Sequence, residues 1–424
     1  LATRGTRCAG FVRYGRLDSG VVLSELEQRI VRAVRDRESA LLEDLRLHVG
    51  LPTGGFNEEA IEATRSLLTG RLTALGADHR TVEADPKPAW LSGSKDSGYQ
   101  PMTSVCSRLG GATSGRVLIA GHMDTVHDPA GPFLELNVAP DGRTAVGPGC
   151  VDMKGGLVIA VAALEVLEDV GVPASWSFLL NGDEETGTYH SERAIRAAAK
   201  DHDFGLALEP ALPSGALAIE RVGSGQFMIE TKGRAAHAGR EFTKGVSAVT
   251  KLAECILAVS EMPEPARGRT LNIGPVRGGV ATNAVPDSAA AWGNVRFPDA
   301  AAADEIGAML DALATPTDAM PGVVVRRSFN RPAKPLTPRT EALAMRARSA
   351  AEDLGQSLPF EKTGGVCDGN IMQDAGLPTI DTVGVRGGGL HTPDEWIDLT
   401  SLVERCQMLA ILIARLSAGG SAAD

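Results

Sequence analysis

Residues 116–156 read RVLIAGHMDTVHDPAGPFLELNVAPDGRTAVGPGCVDMKGG, and the fold turns on this stretch. Val117 to Ala120 is an apolar run of strand type, and it delivers His122 and Asp124 just past its last apolar residue. Further on, Asp152 sits between the turn Gly147-Pro148-Gly149 and an apolar helix that begins near Gly155. An imidazole and two carboxylates at the ends of buried elements are costly unless something positive pairs with them. A divalent metal is one candidate, since His and carboxylate are zinc ligands. The alternative is a His-x-Asp pair in a solvated loop.

Working outward, strands and helices alternate. The pattern predicts a helix over 155–169 and a strand over 175–180 that ends in Asn181-Gly182-Asp183-Glu184-Glu185. A helix over 191–200 and a strand over 204–208, ending at Glu209-Pro210, follow. This rhythm implies an α/β sheet flanked by helices, with ligands outside the carboxyl ends of the strands. His122, Asp124, Glu184, Glu185 and Glu209 each come directly after a strand, and that repetition favours a site over a solvated loop.

Upstream, an amphipathic helix is expected over 23–48 and another over 58–75, capped by Asn57 and ended at Gly76. A strand over 79–83 and a long Pro-, Gly- and Ser-rich loop over 85–113 come next. Residues 216–331 change rhythm, with strands over 226–231, 271–276, 289–297 and 323–329 and helices over 247–259 and 304–313. That order describes a small α+β unit. After Lys334, Pro335 and Pro338, a helix over 339–354, a strand over 379–383 and a closing helix over 399–416 return to the first pattern. The expected organisation is one discontinuous α/β domain, 23–219 and 333–424, with a second domain, 220–332, inserted. Residues 1–22 are polar and Arg-rich, lack the apolar segment of a secretory signal, and are expected to be poorly ordered.

Composition narrows the function classes. The 424 residues are 43% hydrophobic and 22% charged, enough for two domains and a sizeable core. No run of about 18 apolar residues predicts a membrane span. A net charge of −11 argues against a nucleic-acid surface, which needs a clustered basic face. The six cysteines are scattered without a C-x-x-C pair, which fits a reduced cytoplasmic protein better than a disulfide framework.

His122, Asp124, Asp152, Glu184, Glu185, Glu209 and a late His391, in GGGLHTPDEW, suit zinc or a pair of zincs bridged by a carboxylate. Two metals roughly 3.5–4 Å apart can activate a water and polarise a carbonyl together. Adjacent Glu184 and Glu185 offer one carboxylate as ligand and one as proton shuttle. Asp124, two residues from His122, suits an orienter of the imidazole.

The stretches GHMDTV, GCVDMKGG, NGDEETGT, LEP, GRAAHAG, GGVCDGN and LHTPDE stand in order between residues 121 and 395, within a likeness that runs over residues 40–417. Together they resemble the metallopeptidase family of carboxypeptidase G, acetylornithine deacetylase and succinyl-diaminopimelate desuccinylase. The resemblance implies a zinc-exopeptidase-like α/β catalytic domain, a mixed sheet flanked by helices, with an inserted α+β lid and dimerisation domain over 220–332. It implies two Zn2+ per chain, with Co2+ or Mn2+ as substitutes. Asp152 would bridge the two metals, His122 and Glu209 completing one and Glu185 and His391 the other. Glu184 would be the general acid/base, Asp124 would orient His122, and the Asp152–Met153 peptide would be cis.

The resemblance also assigns residues around the substrate. His237, in GRAAHAG, matches a histidine that reaches an active site, often the partner subunit's, and stabilises the oxyanion; a loop histidine is the alternative. Asn283, in ATNAVPD, and Arg296, in NVRFP, match residues that hold a substrate carboxylate, although Arg296 could equally be a structural ion pair. Gly365, Asp368 and Asn370 fall near that carboxylate, with a tight turn as the competing reading. Cys367 stands where close relatives usually have Ser, with no effect assigned. His127 and His190 match no family ligand and read as surface residues.

The implied activity is a cytoplasmic, metal-dependent hydrolase that releases an amino acid with a free carboxylate from a small peptide or N-acyl amino acid. It would work as a homodimer, with no nucleic-acid or membrane partner. The alternative is a catalytically silent, small-molecule-binding homologue, but such a chain would have lost a ligand or Glu184. A serine hydrolase would need a G-x-S-x-G elbow, which Val222-Gly223-Ser224-Gly225 is not.

Overall fold

Val117–His122 is buried at every position, as a strand covered on both faces must be. In the computed structural model, which describes residues 23–91, 98–110 and 115–419, it lies inside a six-stranded sheet. The expected disorder of residues 1–22 lies outside the described residues. The strand order is Asp78–Val82, Thr103–Arg108, Trp176–Asn181, Val117–His122, Phe204–Ala207 and Thr379–Ile380. The last four run parallel, and Thr103–Arg108 is antiparallel to both of its neighbours. Val117 and Ile119 face the core beneath helix Gly155–Val170, while Leu118 and Ala120 face helices Glu192–Ala199 and Asp368–Asp374. Strand alternation thus sorts the sequence onto two covered faces.

Two expectations fail here. The helix over 23–48 is two helices, Glu25–Arg35 and Glu38–Val49. At the break, Arg37 turns to Glu165 at 2.8 Å and to Asp169, so both helices pack around Gly155–Val170 instead of running past it. The 85–113 loop contains the strand Thr103–Arg108, buried at four positions. Its small hydroxyls are satisfied inside the sheet, Ser104 by Arg65 and His79 and Ser107 by Ser177. Apolar alternation does not register such a strand.

Residues 223–331 carry a second, antiparallel sheet in the order Thr270–Gly278, Ser288–Phe297, Gly223–Lys232, Gly322–Arg331. Helices Ala248–Ser260 and Ala300–Asp311 cover one face around a separate core of Phe227, Ile229, Leu252, Val295, Ile306 and Leu310. Two chain crossings join this unit to the first sheet. Arg221 and Lys334 exchange main-chain hydrogen bonds of 2.9 Å. Buried Asp381 ion-pairs with the Arg221 guanidinium at 2.8 Å and the Lys334 ammonium at 3.2 Å. Asn370, also buried, donates from Nδ2 to Val222 O and Pro332 O. Both crossings are therefore tied to the first sheet by buried polar groups.

The segment before the first sheet's buried strands forms a further connection. Main-chain O of Asp85 accepts from His190 Nδ1 at 2.7 Å, and its carboxylate accepts from Arg193. His190 is thus buried rather than at the surface. Five residues on, Trp90 O accepts the indole N–H of Trp292, on the second sheet, at 2.6 Å.

Removing one member of a buried ion cluster leaves its partners charged and unpaired, which typically costs about 3–5 kcal/mol. Asp381→Ala is expected to lower unfolding free energy in urea by that amount. A loss under about 1 kcal/mol would show that the crossings do not depend on this cluster.

Candidate metal centre

Three adjacent parallel strands end on the same edge of the sheet. Val117–His122 supplies His122, Trp176–Asn181 leads to Glu184 and Glu185, and Phe204–Ala207 leads to Glu209. Asp152 comes from the turn before helix Gly155–Val170, and its peptide to Met153 is cis, as the sequence led us to expect. His391, in the left-handed region at φ 63°, reaches in from the loop after Gly389.

Asp152 is the centre of the cluster. Its Oδ1 lies 3.3 Å from His122 Nε2, and its Oδ2 lies 3.4 Å from His391 Nε2. His391 Nε2 is also 3.3 Å from Glu185 Oε2, and His122 Nε2 is 3.9 Å from Glu209 Oε1. Each oxygen of one carboxylate thus faces a different imidazole. Oδ1 is buried without hydrogen-bond geometry to any partner, an uncompensated position that a cation would satisfy. Ligand atoms of His122, Asp152 and Glu185 all lie within 4.8 Å of one another.

The electrostatics carry the mark of too much negative charge in a dry place. Burial pushes the carboxyls of Glu184, Glu185 and Glu209 above the usual range, Glu185 to about 7. Hydrogen bonds to Asp152 and Glu185 raise His391 to about 10. His122 is raised despite its burial, by Asp124 and Asp152, and Asp152 is held low despite its burial, by the two histidines. Protons on the imidazoles here stand in for the positive charge that the carboxylates require.

Asp124 lies beneath. Its main-chain carbonyl accepts from His122 Nδ1 at 2.9 Å, while its carboxylate accepts the N–H groups of Glu184, at 3.3 Å, and Glu185, at 3.0 Å. Orientation of the imidazole falls mainly to the carbonyl, since Nδ1 stands 3.5 Å from Oδ1. The carboxylate instead fixes the turn that carries both glutamates. Sequence reasoning missed Arg331, at the end of the second sheet. It grips Glu184 through Nη1 to Oε1 at 2.7 Å and through Nη2 to the main-chain O at 3.0 Å, and it also reaches Thr188. It missed Glu395 as well, the buried carboxylate that accepts the N–H of Asp152. His127, read as a surface residue, is largely buried against that carboxylate. No local period marks either group.

A family model described as peptidase family M20/M25/M40 matches residues 118–415. The chain belongs to this family. It is 27% identical over 410 residues to carboxypeptidase G2 from Pseudomonas sp. (strain RS-16), covering 95% of each chain. It is 30% identical over 339 residues to a succinyl-diaminopimelate desuccinylase from Methylorubrum populi, covering 72% of this chain and 84% of that one. Among solved structures, a tripeptidase from Staphylococcus aureus superposes with a TM-score of 0.71 at 25% identity, over 89% of this chain and 99% of that one. Membership of the M20 family makes this chain a metal-dependent hydrolase of peptide or amide bonds.

The M20 centre opens into a cleft of about 860 Å³ between the two sheets. Arg296 and Gly365 line it with Glu184, Glu185, Arg331 and His391. Arg296 Nη1 is buried without a partner. Asp368 and Asn370 lie below it instead. Asp368 accepts from Asn181 and Thr188, both at 2.8 Å, and Asn370 is committed to the crossings. His237 and Asn283 sit together on the second unit, where Ala238 N–H donates to Asn283 O at 3.0 Å, and neither lines this cleft. Among the described residues, no helix is long and apolar enough to cross a membrane.

If Asp152 is shared between two ions, Asp152→Asn is expected to lower bound metal from two per chain to below one. Plasma mass spectrometry on dialysed protein reads this directly, and unchanged metal would contradict the shared carboxylate.

Proposed function

We propose that this chain is a dinuclear metal amidohydrolase that releases an amino acid with a free α-carboxylate from a small peptide or N-acyl amino acid. The observation that carries the reading is Asp152, with one oxygen facing His122 and the other His391 beside the buried acid Glu184. We assign His122, Asp152 and Glu209 to one ion and Asp152, Glu185 and His391 to the other. Two Zn2+ ions, or Co2+ or Mn2+ in their place, supply a polarised carbonyl and an acidified water when bound.

The chain's own residues do the rest. Glu184 accepts the proton of the attacking water and returns it to the departing amine nitrogen. Burial favours its protonated form, while Arg331 pulls the other way, which suits a group that must take and give one proton. Arg331 fixes Oε1, and we assign the proton to Oε2. The unpartnered Arg296 nitrogen is our counter-ion for the product carboxylate, since a planar guanidinium binds carboxylates in two-point fashion. Gly365 lines the same cleft.

His237 we assign to the oxyanion and Asn283 to the substrate carboxylate, both in a partner subunit's cleft. Their exposure on the second unit, away from the cleft of their own chain, supports that arrangement. Exposed Phe242, Leu257, Val276 and Val280 on the same unit support its use as a homodimer surface. The strand Gly223–Lys232 lies between two others and has no free edge, so we place the contact at helix Ala248–Ser260 and the edge strand Thr270–Gly278. The scattered cysteines support a cytoplasmic, reducing setting.

Glu184→Gln is expected to lower kcat by about 10²–10⁴-fold while metal content stays constant; activity within about 3-fold of the parent would exclude the role. Arg296→Ala should weaken kcat/KM for N-acyl amino acids with a free carboxylate far more than for their α-amides, assayed on matched pairs. Equal losses on both would remove Arg296 from carboxylate binding. Light scattering should find a particle of twice the chain mass, and a monomer would sink the partner-subunit arrangement.

A further inference from the structure

Glu395 is 1% exposed, yet its carboxylate has four partners. Oε1 accepts the main-chain N–H groups of Val151 and Asp152, both at 3.0 Å. Oε2 accepts the N–H of Gly149 at 2.9 Å and His127 Nε2 at 2.6 Å. Gly149 adopts the left-handed conformation, φ 67°, and the amides of Gly149, Val151 and Asp152 converge as a concave anion-binding turn, while the Cys150 N–H donates to Gly147 O. An ionised carboxylate only accepts, so it fits this ring of donors where an amide would not. His127, edge-on to Phe133 at 5.1 Å, closes the ring.

The same residue works in the opposite direction along the chain. Its main-chain carbonyl accepts Gly147 N–H at 3.1 Å, so Glu395 joins both ends of the 147–152 turn. Four residues before it stands His391, whose side chain is 54% exposed and gains little position from packing. The 389–395 loop lies between Gly387–Gly388 and Trp396–Asp398, which pairs with Thr144–Val146 ahead of the turn, and within the loop Glu395 is the tie to the amides of Val151 and Asp152. The His122 side is built differently. His122 is buried at a strand end and held by the Asp124 carbonyl, and Glu209 follows a buried strand, with no tie to Glu395.

We propose that His127 and Glu395 form a positioning pair that registers the His391 loop against Asp152, and so selectively sets the affinity of the metal position made by Asp152, Glu185 and His391. This rests on the dinuclear reading above. The pair touches neither substrate nor the reacting atoms. It acts through the turn and the loop. Outer partners of this kind typically change metal affinity by about 10–100-fold.

The test is titration of the metal-free full chain with Zn2+ against a chromogenic chelator, which resolves the two binding steps without assaying activity. The parent should take up two ions. Glu395→Gln should weaken the step that His391→Ala abolishes by about 10–100-fold and the other step several-fold less; the reverse selectivity would overturn the proposal. His127→Phe should show the same selectivity at smaller size, and His127→Gln, which keeps a donor, should recover most of it. His127→Phe decides the matter if Glu395→Gln does not fold by circular dichroism. Two ions in the parent with both variants unchanged, or both steps weakened equally, would overturn the proposal alone. Fewer than two ions in the parent would overturn the dinuclear reading and the proposal with it.

Discussion

The two oxygens of Asp152 point at two different imidazoles, and the rest of the site is arranged around that division. Carboxylates from two strand ends and from the turn that carries Asp152 converge on the same few ångströms, where each buried acid raises the cost of the next. Evolution could have lowered this cost by spreading the acids apart. The chain instead fixes the segments that carry them with specific hydrogen-bond partners. Asp124 takes the N–H groups of the glutamate turn, Arg331 takes Glu184, and Glu395 takes the amides around Asp152. A concentration of negative charge held this firmly suits divalent cations, in keeping with a chain of the M20 family.

Arg331 gives this arrangement a mechanical consequence. It ends a strand of the second sheet, and together with Asn330, which donates to Gly187 O at 2.6 Å, it clasps the loop that carries both glutamates. A few residues on, Lys334 and Arg221 meet Asp381 at the crossings. Glu184, our proposed general acid/base, is therefore attached to the second unit through the same short stretch that connects that unit to the first. Rotation of one unit against the other would be felt at Glu184 and Gly187, the two residues that this strand end grips. The 83–91 segment spans the two units independently, through Asp85 and Trp90.

The gathering of His122, Glu184, Glu185 and Glu209 at one end of the sheet was legible because each closely follows an apolar run. The α+β insert was legible for a similar reason, since its strands alternate and its helices are capped. What escaped the sequence depends on partners far along the chain. Glu395 lay inside a quoted motif, but its ligands are amides and an imidazole some 240 or more positions away. Arg331 ends an exposed-edge strand with no period to mark it. Thr103–Arg108 is buried through hydroxyl pairing, which hydropathy cannot see. Asp368 and Asn370, placed beside the substrate by resemblance, turn out to hold the floor and the crossings, because a buried polar side chain goes where its hydrogen bonds are.

The most direct test of this account is the anomalous scattering of crystals grown with zinc, collected on either side of the zinc absorption edge. Two peaks flanking the Asp152 carboxylate, one on the His122 side and one on the His391 side, are the predicted result. A single peak, or peaks away from Asp152, would contradict the shared carboxylate on which the account depends.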